Sequence, residues 1–356
     1  MGARTRIAGR ERDYFSGTGY LGLQSDRRVL NAAAEALQRY GLTTGTSRGG
    51  YGEHPLYTAL EAQACAFFGV ERVLYFSSGY LGSALLAQGR SEACQRIFVD
   101  AASHFSVWDG ARSSGLPVHG FAHGDAQALR EAIRQNLRPG ERPLILSDGL
   151  FPISGELTPL PDYLTVAEEW QGEVALDDAH AFGVLGEHGR GVTEEWGVPL
   201  GRCWVCGTLS KGLGGYGGII PGGAAALNEL EAHSRVTVGA SPTPLPIVAA
   251  ATCALQLAAQ PDLRQRLWEN VAFARQGFRR LGWPLPESRS PIVCLGVRPG
   301  LDLGKIKDEL FARDLCIAHV RTYSSTPPGG ALRIAIFATH TREQIERLLF
   351  EMERLL

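Results

Sequence analysis

The sequence predicts an α/β chain, with a large, doubly wound, mostly parallel sheet followed by a smaller C-terminal α+β part. Three observations predict it. From about residue 28 to 235, short apolar runs alternate with amphipathic stretches, as parallel strands do when helices cover both faces of their sheet. Pro242, Pro244 and Pro246 then break that pattern, and the chain beyond them reads as two long helices and a short mixed tail. Finally, the residues best suited to chemistry stand just after the apolar runs, where open α/β sheets bind ligands.

Residues 1–27 form a separate N-terminal segment, 28–240 a large domain, and 241–356 a small domain with its linking helix. Within the large domain, Arg72–Ser77, Arg96–Asp100, Pro143–Ser147, Val174–Asp177 and Trp204–Gly207 read as buried strands. Helices are expected over Leu56–Phe68, Tyr80–Ala87, Ala126–Asn136 and Tyr163–Trp170. Beyond the prolines, Ile247–Ala259 and Asp262–Leu281 read as helices. The tail alternates strand 292–297, helix 303–313, strand 332–337 and helix 342–355.

Composition narrows the function. A chain of 356 residues buries a sizeable core without disulfides or structural metals. A formal net charge of −2 offers no basic surface for nucleic acid, and no apolar run approaches the ~20 residues of a membrane span. The start, Met1 to Arg12, is basic but lacks the apolar stretch of a signal peptide, so a cytoplasmic location is expected. Seven cysteines scattered through predicted core segments read as reduced thiols. Cys203 and Cys206 lie three apart on one predicted strand and so point to opposite faces, which argues against a redox pair.

The most informative residues are Lys211, in Thr208-Leu209-Ser210-Lys211-Gly212, and Asp177 with His180, in Leu176-Asp177-Asp178-Ala179-His180. A lysine that follows a strand and is ringed by glycines can receive a flat carbonyl cofactor, because backbone without side chains allows close approach. The glycine run 212–217 has the spacing of a dinucleotide fingerprint, but Ile219-Ile220-Pro221 comes next, where a helix should start. A carboxylate emerging from the apolar strand at Asp177 needs a cation; a protonated pyridine nitrogen is one, and His180 stands in reach of the adjacent ring oxygen. Asp178 is expected to orient the following turn. Ser78, Gly79 and Tyr80 close one strand and open a helix, an anion cradle that the hydroxyls of Thr208 and Ser210 would complete. His104 either packs in the core or stacks on the cofactor's open face. Arg333, inside the apolar run Leu332–Phe337, calls for a planar anion such as an amino-acid carboxylate, with a structural ion pair as the alternative and Arg48 next in line for the carboxylate. Together these residues point to pyridoxal 5′-phosphate (PLP), an electron sink that the protein orients.

In their order, Tyr20-Leu-Gly-Leu23, Gly45-Thr-Ser-Arg48, Ser78-Gly79-Tyr80, Ser103-His104, Asp177-Asp178-Ala179-His180, Gly186–Gly191, Thr208-Leu-Ser-Lys211 and Leu332-Arg333 resemble the α-oxoamine synthases. These are fold-type I PLP enzymes that include 8-amino-7-oxononanoate synthase, 5-aminolevulinate synthase and serine palmitoyltransferase. The resemblance covers the chain from Tyr14 onward. It implies a Schiff base at Lys211, the pyridine nitrogen at Asp177, the ring oxygen at His180, ring stacking by His104 and a substrate carboxylate at Arg333. It also implies decarboxylative condensation of an amino acid with an acyl-CoA, in a homodimer whose segment 240–244, Ser241 included, approaches the neighbour's phosphate. Three features depart from the pattern: the helix usual ahead of Tyr20 is absent, Pro152 replaces a serine, and Tyr57 replaces a histidine. An aminotransferase or lyase on the same fold, and a non-catalytic partner subunit, are the alternative readings.

Overall fold

The computed structural model describes residues 2–356. Two charged strands, β1 (Arg4–Ile7) and β2 (Arg10–Tyr14), make a hairpin whose two-residue turn, Ala8 and Gly9, has φ of 51° and 78°. Positive φ at both positions matches the right-handed twist of paired strands. Helix α1 (Arg27–Tyr40) starts at Asp26, whose carboxylate accepts the Arg28 N–H. Helix α2 (Pro55–Phe68) begins with proline, which has no N–H to leave unpaired, and stops at Gly69 with φ of 68°.

The next stretch alternates as expected: β3 (Arg72–Phe76), α3 (Gly82–Gly89), β4 (Arg96–Asp100), α4 (Phe105–Ser113), β5 (Val118–Phe121), α5 (Ala126–Asn136), β6 (Pro143–Asp148), α6 (Leu160–Glu169), β7 (Glu173–Asp177), the single turn α7 (Val192–Glu195), β8 (Trp204–Thr208), β9 (Gly218–Gly222) and α8 (Ala224–His233). Seven strands form one sheet in the order β3-β9-β8-β7-β6-β4-β5. All its pairings are parallel except those of β9, which runs against both β3 and β8. The central strands β4 and β6 are buried at every residue, as a sheet covered on both faces requires.

Beyond it come α9 (Leu245–Ala258), α10 (Pro261–Arg280), β10 (Ile292–Gly296), α11 (Leu303–Ala312), β11 (Leu315–Cys316), β12 (Ala318–Val320), β13 (Ala331–Ala335) and α12 (Arg342–Glu353). Strands β10, β13 and β12 form an antiparallel sheet. β11 instead pairs in parallel with β2, so residues from the two ends of the chain share a third small sheet. Helix α9 lies against α1 and α2, on the side of the large sheet. Among the described residues, no helix is long and apolar enough to cross a membrane. All seven cysteines are free thiols; Cys206 is buried within β8, and Cys203 precedes that strand.

Candidate active site

Four neighbouring strands, β4, β6, β7 and β8, deliver their carboxyl ends to one cavity of about 530 Å³. His104 follows β4, Asp148 ends β6, Asp177 ends β7, and Lys211 follows β8. The turn after β3 adds Ser78, Gly79 and Tyr80, and β13 adds Arg333 from the small sheet.

Lys211 sits in the short connection between antiparallel β8 and β9. Hydrogen bonds from the Leu209 N–H to the Gly217 carbonyl (2.9 Å) and from the Gly215 N–H to the Leu209 carbonyl (2.7 Å) close that loop. Gly214, with φ of 65°, has no room for a side chain, since a Cβ would stand 2.3 Å from that of Leu23. The Lys211 Nζ lies 2.9 Å from His180 Nε2, and His180 Nδ1 lies 2.7 Å from the Tyr20 hydroxyl. Burial lowers the lysine's pKa and Asp177 and Asp148 pull it back up, so the amine is poised toward its neutral form. Burial likewise holds His180 well below the usual histidine range, with the charge of Lys211 adding to the effect.

Asp148 and Asp177 are register partners on adjacent parallel strands, so their side chains leave the same face of the sheet. Burial pushes both carboxyls upward. The charge of Asp177 raises Asp148 further, whereas Lys211 draws Asp177 back toward ionisation. Asp148 accepts the His104 N–H (2.8 Å) and Asp177 the Ala179 N–H (3.0 Å). Asp178 faces away from the cavity: its Oδ2 accepts the Val192 N–H (2.9 Å), Oδ1 has no partner among the described residues, and burial raises its pKa to about 7. The expected role at the following turn thus gives way to a tie to the start of α7, fourteen residues on.

His104 caps α4 and lines the cavity. Its Nδ1 accepts the Ser106 N–H (3.1 Å) and lies 2.7 Å from the Ser106 hydroxyl, while Nε2 lies 2.7 Å from the Tyr323 hydroxyl. Tyr80 is held by Asp109 (2.6 Å). Thr208 and Ser210 join hydroxyls at 2.7 Å beside Gly79, where a Cβ would stand 2.6 Å from that of Thr208. Only glycine lets that turn come so close.

Arg333 is buried but forms no ion pair among the described residues. Its Nε donates to the Pro152 carbonyl (2.6 Å), one terminal nitrogen to the Gly17 carbonyl (3.1 Å) and the other to the Tyr20 hydroxyl (3.2 Å). The ion-pair alternative therefore gives way: neutral oxygens hold the guanidinium and leave its charge unopposed at the cavity wall. Pro152, the departure from the serine pattern, serves through its carbonyl, which needs no N–H.

Arg48 and Ser241 are not brought to this cavity. They line a second one of about 870 Å³, where two glutamates, Glu53 (2.7 Å) and Glu61 (2.5 Å), occupy the Arg48 guanidinium. Tyr57 is fully buried there and donates its hydroxyl to the Thr243 carbonyl (2.7 Å). Sequence reasoning missed Asp148, Tyr20, Ser106 and Tyr323. Asp148 had a signal, because it ends a strand as Asp177 does, and Tyr20 opens the Tyr20-Leu-Gly-Leu23 motif; Ser106 and Tyr323 are joined to the site only by folding.

The residues fit a pyridinium cofactor on two counts. Asp177 faces the cavity from its strand end with its carboxylate drawn toward ionisation by Lys211, and burial lowers the pKa of that lysine toward the amine that carbonyl chemistry needs. A sheet of this topology, with such a lysine at its carboxyl edge, defines a fold-type I PLP-dependent enzyme. The family model for aminotransferase class I and II matches residues 17–351. An 8-amino-7-oxononanoate synthase from Thermosipho melanesiensis is 32% identical over 338 residues, spanning 94% of this chain and 86% of the relative. A serine palmitoyltransferase from Bacteroides ovatus is 30% identical over 348 residues, spanning 98% and 88%. The solved serine palmitoyltransferase from S. paucimobilis with a bound PLP–myriocin aldimine superposes with a TM-score of 0.90 at 26% identity, covering 99% of this chain and 89% of that one. The chain belongs to the aminotransferase class I and II family, within its α-oxoamine synthase group.

Proposed function

We propose that the cavity binds PLP and that the chain is an acyltransferase joining an amino acid to an acyl thioester. The carbon–carbon bond forms between the amino acid's Cα and the acyl carbon, the thiol leaves, and the carboxylate departs as CO2. The observation that carries this reading is Lys211, biased toward the neutral amine and set among His180, Asp177 and an Arg333 whose charge nothing opposes. Bound PLP supplies an electron sink for the carbanion at Cα.

The protein's own groups then have separate tasks. Asp177 accepts the pyridine N–H and keeps that proton in place. His180, neutral and tethered to Tyr20, donates to or accepts from the ring oxygen. Ser78, Gly79, Tyr80, Thr208 and Ser210 hold the phosphate. His104 covers the ring, and Arg333 takes the substrate carboxylate with its remaining N–H capacity. Lys211 would hold the cofactor's aldehyde carbon, and its amine is placed to accept the Cα proton. We further propose a homodimer in which Ser241 reaches the partner's phosphate; Arg48, already paired with two glutamates, drops out as a carboxylate ligand. Acyl-CoA is the natural thioester, by analogy with the relatives' reactions.

Two measurements test the reading. Borohydride treatment should fix PLP to the peptide carrying Lys211, and Lys211→Ala should abolish that adduct while leaving the protein folded. A screen of amino acids against acyl-CoAs of graded length should release thiol and CO2 together. Turnover of an oxo acid without thiol release would instead identify an aminotransferase.

A further inference from the structure

The segment between β12 and β13 borders the cavity through Tyr323 and is tied down at two points. The Ser325 hydroxyl accepts the N–H groups of Ile153 and Ser154, both at 3.3 Å, and the Tyr323 hydroxyl meets His104 Nε2 at 2.7 Å. The rings support the second tie: Tyr323 packs edge-on against Phe105 (centroids 5.3 Å apart) and tilted against His104 (5.6 Å).

The hydrogen bonds around His104 settle its tautomer. A backbone N–H only donates, so the Ser106 N–H at 3.1 Å requires a bare lone pair on Nδ1. The single proton of the neutral ring is then on Nε2, and it points at the Tyr323 oxygen. Burial lowers the pKa of His104, which keeps the ring neutral. Since Tyr323 accepts from His104, its own hydroxyl hydrogen remains a donor. Among the described residues that hydrogen has no other partner, and Tyr323, 38% exposed, lines the cavity.

We propose that Tyr323 is a positioning residue: by accepting the His104 Nε2–H it holds that ring at one angle over the cavity, and it presents its own hydroxyl hydrogen to a substrate oxygen. The effect on turnover rests on the proposed cofactor placement beneath His104. The hydrogen bond to His104 does not.

Tyr323→Phe keeps the ring and its packing while deleting the acceptor. Histidine ring ¹⁵N spectra, with His104 assigned through His104→Gln, are expected to show distinct Nδ1 and Nε2–H signals in the wild type, with and without added PLP. In Tyr323→Phe the tautomer, set by the Ser106 N–H, should persist, while the Nε2–H signal shifts as it loses its acceptor. In Ser106→Ala, which retains the backbone N–H, that signal should stay put. The kcat of Tyr323→Phe should fall about fivefold, the worth of one hydrogen bond, with the amino-acid KM within about twofold. An unchanged Nε2–H signature in Tyr323→Phe overturns the proposal, as does a loosened ring with unchanged kcat. A cavity that fails to bind PLP would sink the functional reading but leave the spectroscopic result standing.

Discussion

Asp148 and Asp177 are chemically identical neighbours, and their surroundings divide the work between them. Lys211 favours the charge on Asp177, whereas for Asp148 the charge of Asp177 adds to burial in favouring the proton. Asparagine replaces either one without changing its shape. Asp177→Asn removes the group proposed to retain a pyridinium proton and should cost on the order of 3 kcal/mol in the barrier, roughly a hundredfold in kcat. Asp148→Asn resembles the protonated acid and keeps an oxygen for the His104 N–H, so kcat should fall by less than about tenfold. Equal losses would mean that the pair shares one charge. Only Asp177 was legible as a site residue in the sequence, because its histidine three residues on marks it. Asp148 also stands at the end of an apolar run, but no neighbour marks it, and its place in the site appears when the ladder sets it beside Asp177. In the sequence Arg333 reads as an arginine that calls for a planar anion; the fold holds it by three neutral oxygens. Arg333→Leu should therefore raise the amino-acid KM by tenfold or more, from a lost charge-assisted bond of roughly 1.5–3 kcal/mol, and also lower Tm, because the Pro152 and Gly17 carbonyls lose their donor. A fall in Tm with unchanged KM would make it purely structural.

Among the elements, the loop from Gly149 to Thr158 carries Pro152 and is pinned from beneath by His123. That ring joins Asp100 (2.9 Å) to Glu156 (3.1 Å), and Asp100 also accepts from the Tyr163 hydroxyl (2.8 Å). Burial alone would lower the pKa of His123, but hydrogen bonds to the two carboxylates outweigh it and raise the value to about 9. A histidine raised in the folded state adds stability that is whole below the unfolded pKa of about 6.5 and drains away as pH climbs through 9. The Tm gap between wild type and His123→Gln should thus be widest near pH 6 and close toward pH 10; a constant gap would remove the charge from the account. The sequence displayed the strands and helices that bury an apolar run or stripe, which is why β3, β4, β6, β7, β8 and the last helix fall within a few residues of expectation. It hid those that bury little. β1 and β2 are mostly charged, β5 lies at the sheet edge, and α4 was visible only through the histidine that caps it.

For the whole molecule, α1 exposes Leu30 and Leu37, seven residues apart on one face, at 52% and 50%, with Tyr40 and Leu42 close by. An apolar stripe of this kind is normally covered by a partner. If the proposed dimer covers it, sedimentation should give twice the chain mass, and Leu30→Asp combined with Leu37→Asp should yield folded monomer with little activity. A fully active monomer would remove the dimer from the mechanism. The exchange between chain ends was not visible in sequence: residues 1–27 read as a separate segment, yet β2 joins β11 across some three hundred residues. No local pattern encodes a pairing of that span.

Arg333 shows the same reach, and it sets an order of events. Its three partners belong to Gly17, Tyr20 and Pro152, so one side chain fastens both ends of the polypeptide to its middle. The loop around Lys211 closes over about ten residues, a fast search, whereas the arginine must find partners up to 316 residues away. During synthesis the lysine, both acids and the phosphate turn emerge well before Arg333 exists. A chain halted near residue 260 would contain every residue proposed to hold the cofactor but not the arginine proposed to grip a carboxylate.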